Sequence, residues 1–197
     1  MSPTVADIVN RLKAAEEDLE AAFQDKRRQF GLIVEGGRAS FDAGMRALHF
    51  SMRKGVLAYI RGARPAVILT APFILAVAVP LVLLDLFVAL YQAVCFPVYG
   101  LKKVRRSDYL VFDRHQLAYL NPFEKFNCLY CSYANGLLAH VAEVAAVTES
   151  YWCPLKHSRR LSAMHRHYAG FADFGDAEAW RKAMDATRAP HGSDTGG

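Results

Sequence analysis

The dominant pattern in this chain is an almost uninterrupted run of apolar residues from Ala66 to Gly100. Asp85 is the only formally charged residue within the run. A helix needs about 20 residues to cross roughly 30 Å of hydrocarbon, so the run is too long for one span and short for two. The pattern therefore predicts a membrane-embedded segment, either two short helices in a hairpin or one long helix that projects beyond the bilayer.

Basic residues on both flanks of this run favour the hairpin, because Lys and Arg beside a membrane segment are enriched on the cytoplasmic side. They are Arg53, Lys54, Arg61 and Arg64 before the run, and Lys102, Lys103, Arg105 and Arg106 after it. In a hairpin, Pro80 and Asp85 would mark the tip and both termini would be cytoplasmic. An acid at membrane depth can instead belong to a proton or ion path, but Asp85 has no basic partner inside the run.

Two amphipathic helices are predicted before the apolar run. In the first, apolar residues recur at spacings of three and four from Val5 to Ala22, and the helix should continue to about Gln29. Its apolar seam either packs on the chain itself or serves self-association or a partner helix. Gly36 and Gly37 interrupt the pattern. The second helix has a basic face suited to lipid headgroups and an apolar side formed by Phe41, Met45, Leu48, Met52, Val56 and Tyr59.

The chain beyond Ser107 alternates short apolar runs with polar residues. Residues 109–112 and 117–120 predict a small β-hairpin, which Asn121 and Pro122 would end. Helical spacing then predicts a helix from about Leu137 to Ala146 after the turn signal Asn135, Gly136. A last helix is expected from Asp176 to about Thr187, before a flexible tail.

These elements predict a mainly α protein with four regions. Residues 1–63 form an amphipathic helical region, 64–106 the membrane hairpin with its basic flanks, 107–188 a small α+β cytoplasmic Cys/His module, and 189–197 the tail. The first twenty residues are polar and rich in acids, so they lack the basic start and apolar core of a secretory signal.

The formal net charge of +5 is concentrated on the flanks of the apolar run. Basic residues in that position usually meet lipid headgroups. No basic motif interleaved with aromatic residues is present, so the lipid bilayer is the expected partner and nucleic acid is not.

Three cysteines and a histidine after the apolar run have the spacing of a metal site. Cys128 and Cys131 form a CxxC pair, and Cys153 and His157 form a CPLKH group about twenty residues later. Three thiolates and an imidazole suit tetrahedral Zn, with an iron or iron–sulfur centre as the alternative. Two other interpretations remain open, namely ordinary reduced cysteines in an aromatic core and a thiol–disulfide pair at Cys128 and Cys131.

The metal interpretation sets a condition on the intervening helix. A straight helix from Ala134 to Ser150 would separate the two pairs by about 25 Å, because each residue rises 1.5 Å. A single ion therefore requires the helix to end near Ala146, so that the residues after it can carry Cys153 back.

His140 and Glu143 lie one turn apart on the predicted helix and could join a metal site, with His165 and His167 as further donors, but all four are interpreted mainly as surface residues. Residues 165–167, beside Arg159 and Arg160, predict a solvated basic strip that touches lipid or another acidic surface. The chain has no Gly-rich phosphate loop, no nucleophile elbow and no defensible Ser, His, Asp set. Positive evidence for an enzyme is therefore lacking.

The stretch DYLVFDRHQLAYLNPFEKFNCLYCSYANG through ESYWCPLKHSRR resembles a segment of uncharacterised bacterial membrane proteins. The resemblance covers only the later half of the chain. It implies a bacterial membrane source and no particular activity.

Three functional hypotheses follow. The first is a bacterial inner-membrane protein whose cytoplasmic module, stabilised by metal, acts as a structural or interaction scaffold. The second is a membrane-bound redox component or enzyme subunit with an iron or dithiol site. The third is a membrane-shaping hairpin, which the amphipathic segments beside the anchor would favour.

Overall fold

A computed structural model describes residues 4–29, 31–35 and 38–188, and within them the chain is mainly helical, as the sequence predicts. The predicted flexible tail lies outside the described residues. The chain divides into two compact units. Unit one comprises residues up to Ala63 together with 113–128, and unit two comprises 64–112 together with the residues from Leu129 onward.

Unit one begins with helix α1, which spans Val5–Gln29 and ends where the sequence predicts. The antiparallel strands β1 (Leu32–Glu35) and β2 (Arg38–Phe41) follow it, with Leu32 paired to Phe41. The sequence pattern predicted only a break between two helices in this region, so the two strands differ from the prediction. The two glycines that signalled the break, residues 36 and 37, lie outside the described part of the chain.

The second predicted amphipathic helix is divided into α2 (Ala43–Ser51) and α3 (Val56–Gly62). Asp42 caps α2, because its carboxylate accepts the backbone N–H of Met45 at 2.8 Å. The residues between the helices end at Gly55, whose extended backbone (φ −61°, ψ 145°) forms the N-cap of α3. The prediction of one continuous helix is therefore wrong.

The predicted β-hairpin over residues 109–120 is also wrong. The structure has irregular chain there, with 3₁₀ turns at Arg106–Asp108 and Arg114–Gln116. Asn121 and Pro122 begin a helix instead of ending a hairpin. Asn121 accepts the N–H of Glu124 (3.0 Å) and donates its own N–H to the Glu124 carboxylate (2.9 Å). This reciprocal pair is a capping box, and proline suits the first position of a helix.

The helix that begins here, α6 (Pro122–Trp152), is much longer than the predicted segment from Leu137 to Ala146. Gly136 lies inside it and does not mark a turn. A Cβ atom at Gly136 would lie 2.7 Å from the Tyr109 carbonyl oxygen, so the missing side chain lets the preceding segment cross α6 closely.

Unit two contains the apolar run as α4 (Pro65–Ala76) and α5 (Ala78–Val98). Val77 between them keeps helical dihedral angles (φ −64°, ψ −20°), so the chain continues in the same direction. Pro80 explains the interruption, since it has no N–H to donate to the Ala76 carbonyl. The predicted hairpin is wrong, because α5 runs through both Pro80 and Asp85.

The segment Pro65–Val98 is long and apolar enough to cross a membrane, and it is the one helix of this kind in the described part of the chain. Only 6% of its most apolar stretch is buried.

Helices α5 and α6 run in the same direction and meet through their side chains. The residue numbers of the contacting pairs increase along both helices, from Asp85 with Tyr133 to Gln92 with His140 and then Tyr99 with Tyr151. Phe96 and Leu137 are fully buried in the same unit. The last helix, α7 (Ala177–Arg188), agrees with the prediction, and the Asp176 carboxylate accepts the N–H of Ala179 at its start (2.9 Å).

Candidate functional site: an apolar helix with one polar side

Helix α5 has two different sides. Its inner side, which includes Leu81, Gln92 and Phe96, is buried. Its outer side exposes large apolar residues along its length, namely Val79, Val82, Leu83, Leu86, Phe87, Leu90, Val94 and Val98. Helix α4 adds further exposed apolar side chains, including Phe73, which is 76% exposed. An apolar surface this large indicates contact with a membrane or with another protein.

Asp85 lies on the inner side of α5, where it bonds to two partners. Arg106 donates from Nη2 to Asp85 Oδ2 at 2.6 Å, and Tyr133 donates from its hydroxyl to the same oxygen at 2.9 Å. The predicted position at a hairpin tip is therefore wrong, and Asp85 does have a basic partner. The sequence predicted Arg106 only as one of the basic residues after the apolar run. Nothing in the sequence shows that the chain after α5 turns back along that helix.

The chain that follows α5 is fixed to the helix by Gln92, which the sequence analysis did not single out. Its side-chain oxygen accepts the N–H of Val104 at 2.8 Å, and its amide nitrogen lies 3.3 Å from His140 Nε2. A Gln inside an apolar run was the one available signal. The hydroxyl of Tyr91, the residue before Gln92, bonds to the Thr148 hydroxyl at 3.0 Å.

The prediction that His140 and Glu143 are surface residues is wrong, since both are buried (4% and 9% exposed). Their faces of α6 are covered by the segments that precede and follow that helix. Glu143 accepts hydrogen bonds from Arg166 Nε (2.9 Å) and His167 Nε2 (2.9 Å). Burial raises the pKa of Glu143, but these hydrogen bonds outweigh burial and hold the pKa below its ordinary value.

A second carboxylate of α6 binds the same downstream segment. Glu149 Oε2 lies 3.0 Å from His165 Nε2. Residues 165–167 are therefore attached to α6 through two carboxylates. The predicted solvated basic strip is therefore only partly solvated, because His165 and His167 bond to α6 whereas the Arg166 side chain is 67% exposed.

The structure does not bring the four predicted metal ligands together. Cys128 and Cys131 lie within α6, whereas Cys153 follows the end of that helix. Between Cys131 and Cys153 the helix rises about 33 Å. The predicted helix end near Ala146, on which the single site with His157 depended, is wrong. Among the described residues, no group of three or more His, Cys, Asp or Glu side chains is arranged to hold a metal ion.

All four cysteines are free thiols, and Cys131 and Cys153 are exposed. Residues three apart in a helix have Cβ atoms about 5–6 Å apart, whereas a disulfide needs about 3.5–4.5 Å. The CxxC pair within α6 would therefore have to distort the helix to form a disulfide.

The chain matches no protein family model, and neither the curated proteins nor the solved structures contain a significant match to it.

Proposed function

We propose that this protein is a monotopic bacterial inner-membrane protein that acts as a structural or interaction scaffold. In this proposal the apolar outer side of α5, continued by α4, lies in the acyl region of one leaflet. The polar inner side of α5 carries the module built on α6. The observation that supports the proposal best is the two-sided character of α5.

The surroundings of Asp85 favour insertion into one leaflet over a crossing. Asp85 is near the middle of the apolar segment, and the side chain of its partner Arg106 is 49% exposed. A crossing helix would carry this charged pair and the nearby Lys102 and Lys103 toward hydrocarbon, which costs several kcal/mol. A helix lying along the membrane surface leaves them among headgroups and water.

The path of the chain supports the same arrangement. Residues before Arg64 and residues 113–128 belong to one compact unit, in which the rings of His49 and Tyr119 lie 5.1 Å apart. The chain that leaves this unit at Arg64 therefore returns to it at Asp113. A single crossing would need the charged segment 101–112 to pass back through the bilayer.

The scaffold role is supported by the side-chain contacts between the anchor and the module. Hydrogen bonds join α5 to α6 through Asp85, Gln92 and Tyr91, and the rings of Tyr99 and Tyr151 stack at 4.9 Å. A module held in this way keeps a fixed orientation on the membrane. The membrane-shaping alternative, as a hairpin, loses its structural basis because the chain does not reverse.

Extraction and topology measurements test the proposal together. We expect the full chain to stay in the membrane fraction after carbonate washing. We also expect protease added to inverted inner-membrane vesicles to remove tags from both termini. Release by carbonate would refute the membrane anchor, and protection of one terminus would refute the monotopic arrangement.

Insertion depth provides a third measurement. The background is a variant in which all four cysteines are replaced by serine, and a polarity-sensitive dye is attached at Phe87→Cys. When vesicles are added, the emission maximum of this dye should shift to shorter wavelengths. Quenchers attached to lipids should also reduce its fluorescence. The same dye on Ala142→Cys, an exposed position of α6, is the matched control and should not respond. Equal responses at the two positions would contradict insertion of the outer side of α5.

A further inference from the structure

A compact loop follows α6. Lys156 donates its N–H to the Ala172 carbonyl (2.8 Å), and Ala172 donates its N–H to the Pro154 carbonyl (2.9 Å), so the two ends of the loop are tied together. We call residues 156–171 the tied loop. Compact loops with adjacent ends frequently carry function.

The two halves of the tied loop differ in their contacts. The second half is attached to α6, because His165 bonds to Glu149 and Arg166 bonds to Glu143. The first half is basic and exposed. Its Arg159 and Arg160 form no ion pair within the described residues, whereas the Lys156 ammonium lies 2.8 Å from Asp173 Oδ1.

These basic side chains surround a cavity of about 430 Å³. Its buried wall is the ring of Tyr168, whose hydroxyl accepts the N–H of His157 at 2.7 Å. Asp173 is the one acidic residue among the described residues of its lining. The side chains of Met164 and Phe174 are 59% and 66% exposed at its rim, so the cavity combines positive charge with apolar surface.

We propose that this cavity binds the phosphate group of an anionic phospholipid. Guanidinium groups pair with phosphate oxygens in a planar, bidentate geometry, which Arg159 and Arg160 are free to adopt. Met164 and Phe174 would contact the glycerol and upper acyl chain. The inference deepens the proposed function by naming the lipid class that the module recognises.

The position of the loop agrees with this ligand. Tyr99, at the end of α5, stacks on Tyr151 and lies edge-on to Trp152 at 5.4 Å, and Trp152 is four residues before the start of the tied loop. Tyr and Trp are enriched at the headgroup level of membranes. The basic cavity thus follows an aromatic cluster of the kind found at a membrane interface.

The test uses the full chain in a zwitterionic detergent, which removes any dependence on bilayer insertion. Binding of short-chain phosphatidylglycerol, short-chain phosphatidylcholine and inorganic phosphate is measured separately. We expect phosphatidylglycerol to bind, and R159S/R160S to bind it about 30-fold more weakly, since each basic side chain near anionic lipid contributes a factor of about five. The variant R159K/R160K keeps both positive charges but loses the bidentate geometry, so its affinity should fall between those of the native chain and R159S/R160S, about fivefold below the native value.

The matched control is R11S/K13S, which removes two exposed positive charges from α1 and should leave lipid binding unchanged. Equal losses in the control and the loop variant would refute the site, as would equal binding of phosphatidylcholine. Competition by millimolar inorganic phosphate that abolishes lipid binding would assign the site to free phosphate and overturn the lipid proposal. If the chain does not bind phosphatidylglycerol but stays in the membrane fraction after carbonate washing, the lipid site is refuted and the proposed membrane anchor is not.

Discussion

Asp85 Oδ2 lies 2.6 Å from Arg106 Nη2, so the middle of the apolar helix is joined to the basic segment that follows it. The carboxylate is mostly buried, whereas the guanidinium is about half exposed. The pair therefore occurs where an apolar surface meets water, and it fixes the returning chain against α5.

Breaking this pair should destabilise unit two. We expect Arg106→Gln to lower the free energy of unfolding in detergent by about 1–2 kcal/mol, because the half-exposed guanidinium is partly screened by solvent. Urea titration monitored by tryptophan fluorescence measures the effect. Arg105→Gln, which removes a neighbouring exposed charge, is the control and should change stability by less than about 0.5 kcal/mol. Equal effects of the two variants would contradict the role of the pair.

Gly136 should not tolerate a side chain. A Cβ would lie 2.7 Å from the Tyr109 carbonyl oxygen and 3.1 Å from Leu110 Cα, so the segment crossing α6 would have to move. We expect Gly136→Ala to destabilise the protein by about 1–3 kcal/mol despite the better helix propensity of alanine. Gly62→Ala has no atom within 4 Å of the new methyl group and should be neutral or stabilising in the same denaturation assay. A stabilising Gly136→Ala would refute the close crossing.

Glu143 should make stability depend on pH in the acidic range. Its pKa in the folded chain lies below the ordinary value of 4.5, so its contribution is fully present above that value and is lost as the pH falls through the lower folded pKa. Glu143→Gln should therefore be less stable than the native chain at pH 7, and the difference should shrink below about pH 4.5. Urea midpoints measured from pH 3 to pH 8 report this difference.

The control for this measurement is Glu178→Gln, at an exposed residue of α7. Its midpoints should follow those of the native chain across the whole range. A difference at Glu143 that stays constant down to pH 3 would show that the carboxylate does not act through its charge.

Metal analysis distinguishes the pattern-based prediction from the geometry of α6. Because α6 continues to Trp152, we expect purified protein to hold well below one equivalent of zinc or iron per chain, and Cys153→Ser to leave the metal content unchanged. Elemental analysis after chelator-free purification provides the measurement. One equivalent that is lost in both Cys128→Ser and Cys153→Ser would establish the four-ligand site instead.

The seam of α1 is a predicted self-association surface, and its Ile8, Leu12 and Leu19 are each about half exposed or more. We expect Leu12→Asp with Leu19→Asp to convert a dimer to a monomer in sedimentation equilibrium, because charges in an apolar seam oppose pairing. Lys13→Asp with Glu17→Lys, which exchanges two exposed charges off the seam, is the control and should remain dimeric. A native chain that is monomeric at all concentrations would refute self-association.

The local sequence pattern was sufficient to predict those helices whose periodicity and capping residues lie within the helix or directly beside it. The bounds of α1 follow from its apolar spacing, and the start of α7 follows from the capping position of Asp176. The composition of the apolar run also predicted that this segment is helical and is not buried inside the protein. Asn121 and Glu124 show a local signal that was present but overlooked, since the capping box they form precedes α6.

What the sequence determined by itself is the presence of a long apolar helix with amphipathic and terminal helices around it, because periodicity and composition act over a few turns. The tertiary structure alone decided that α6 passes through Gly136, that Arg106 returns to Asp85, and that His140 is buried. These outcomes depend on segments that are far apart in the chain. When such segments pack together, their polar groups leave water and each group needs a hydrogen-bond partner. No local sequence pattern specifies which residue that partner will be.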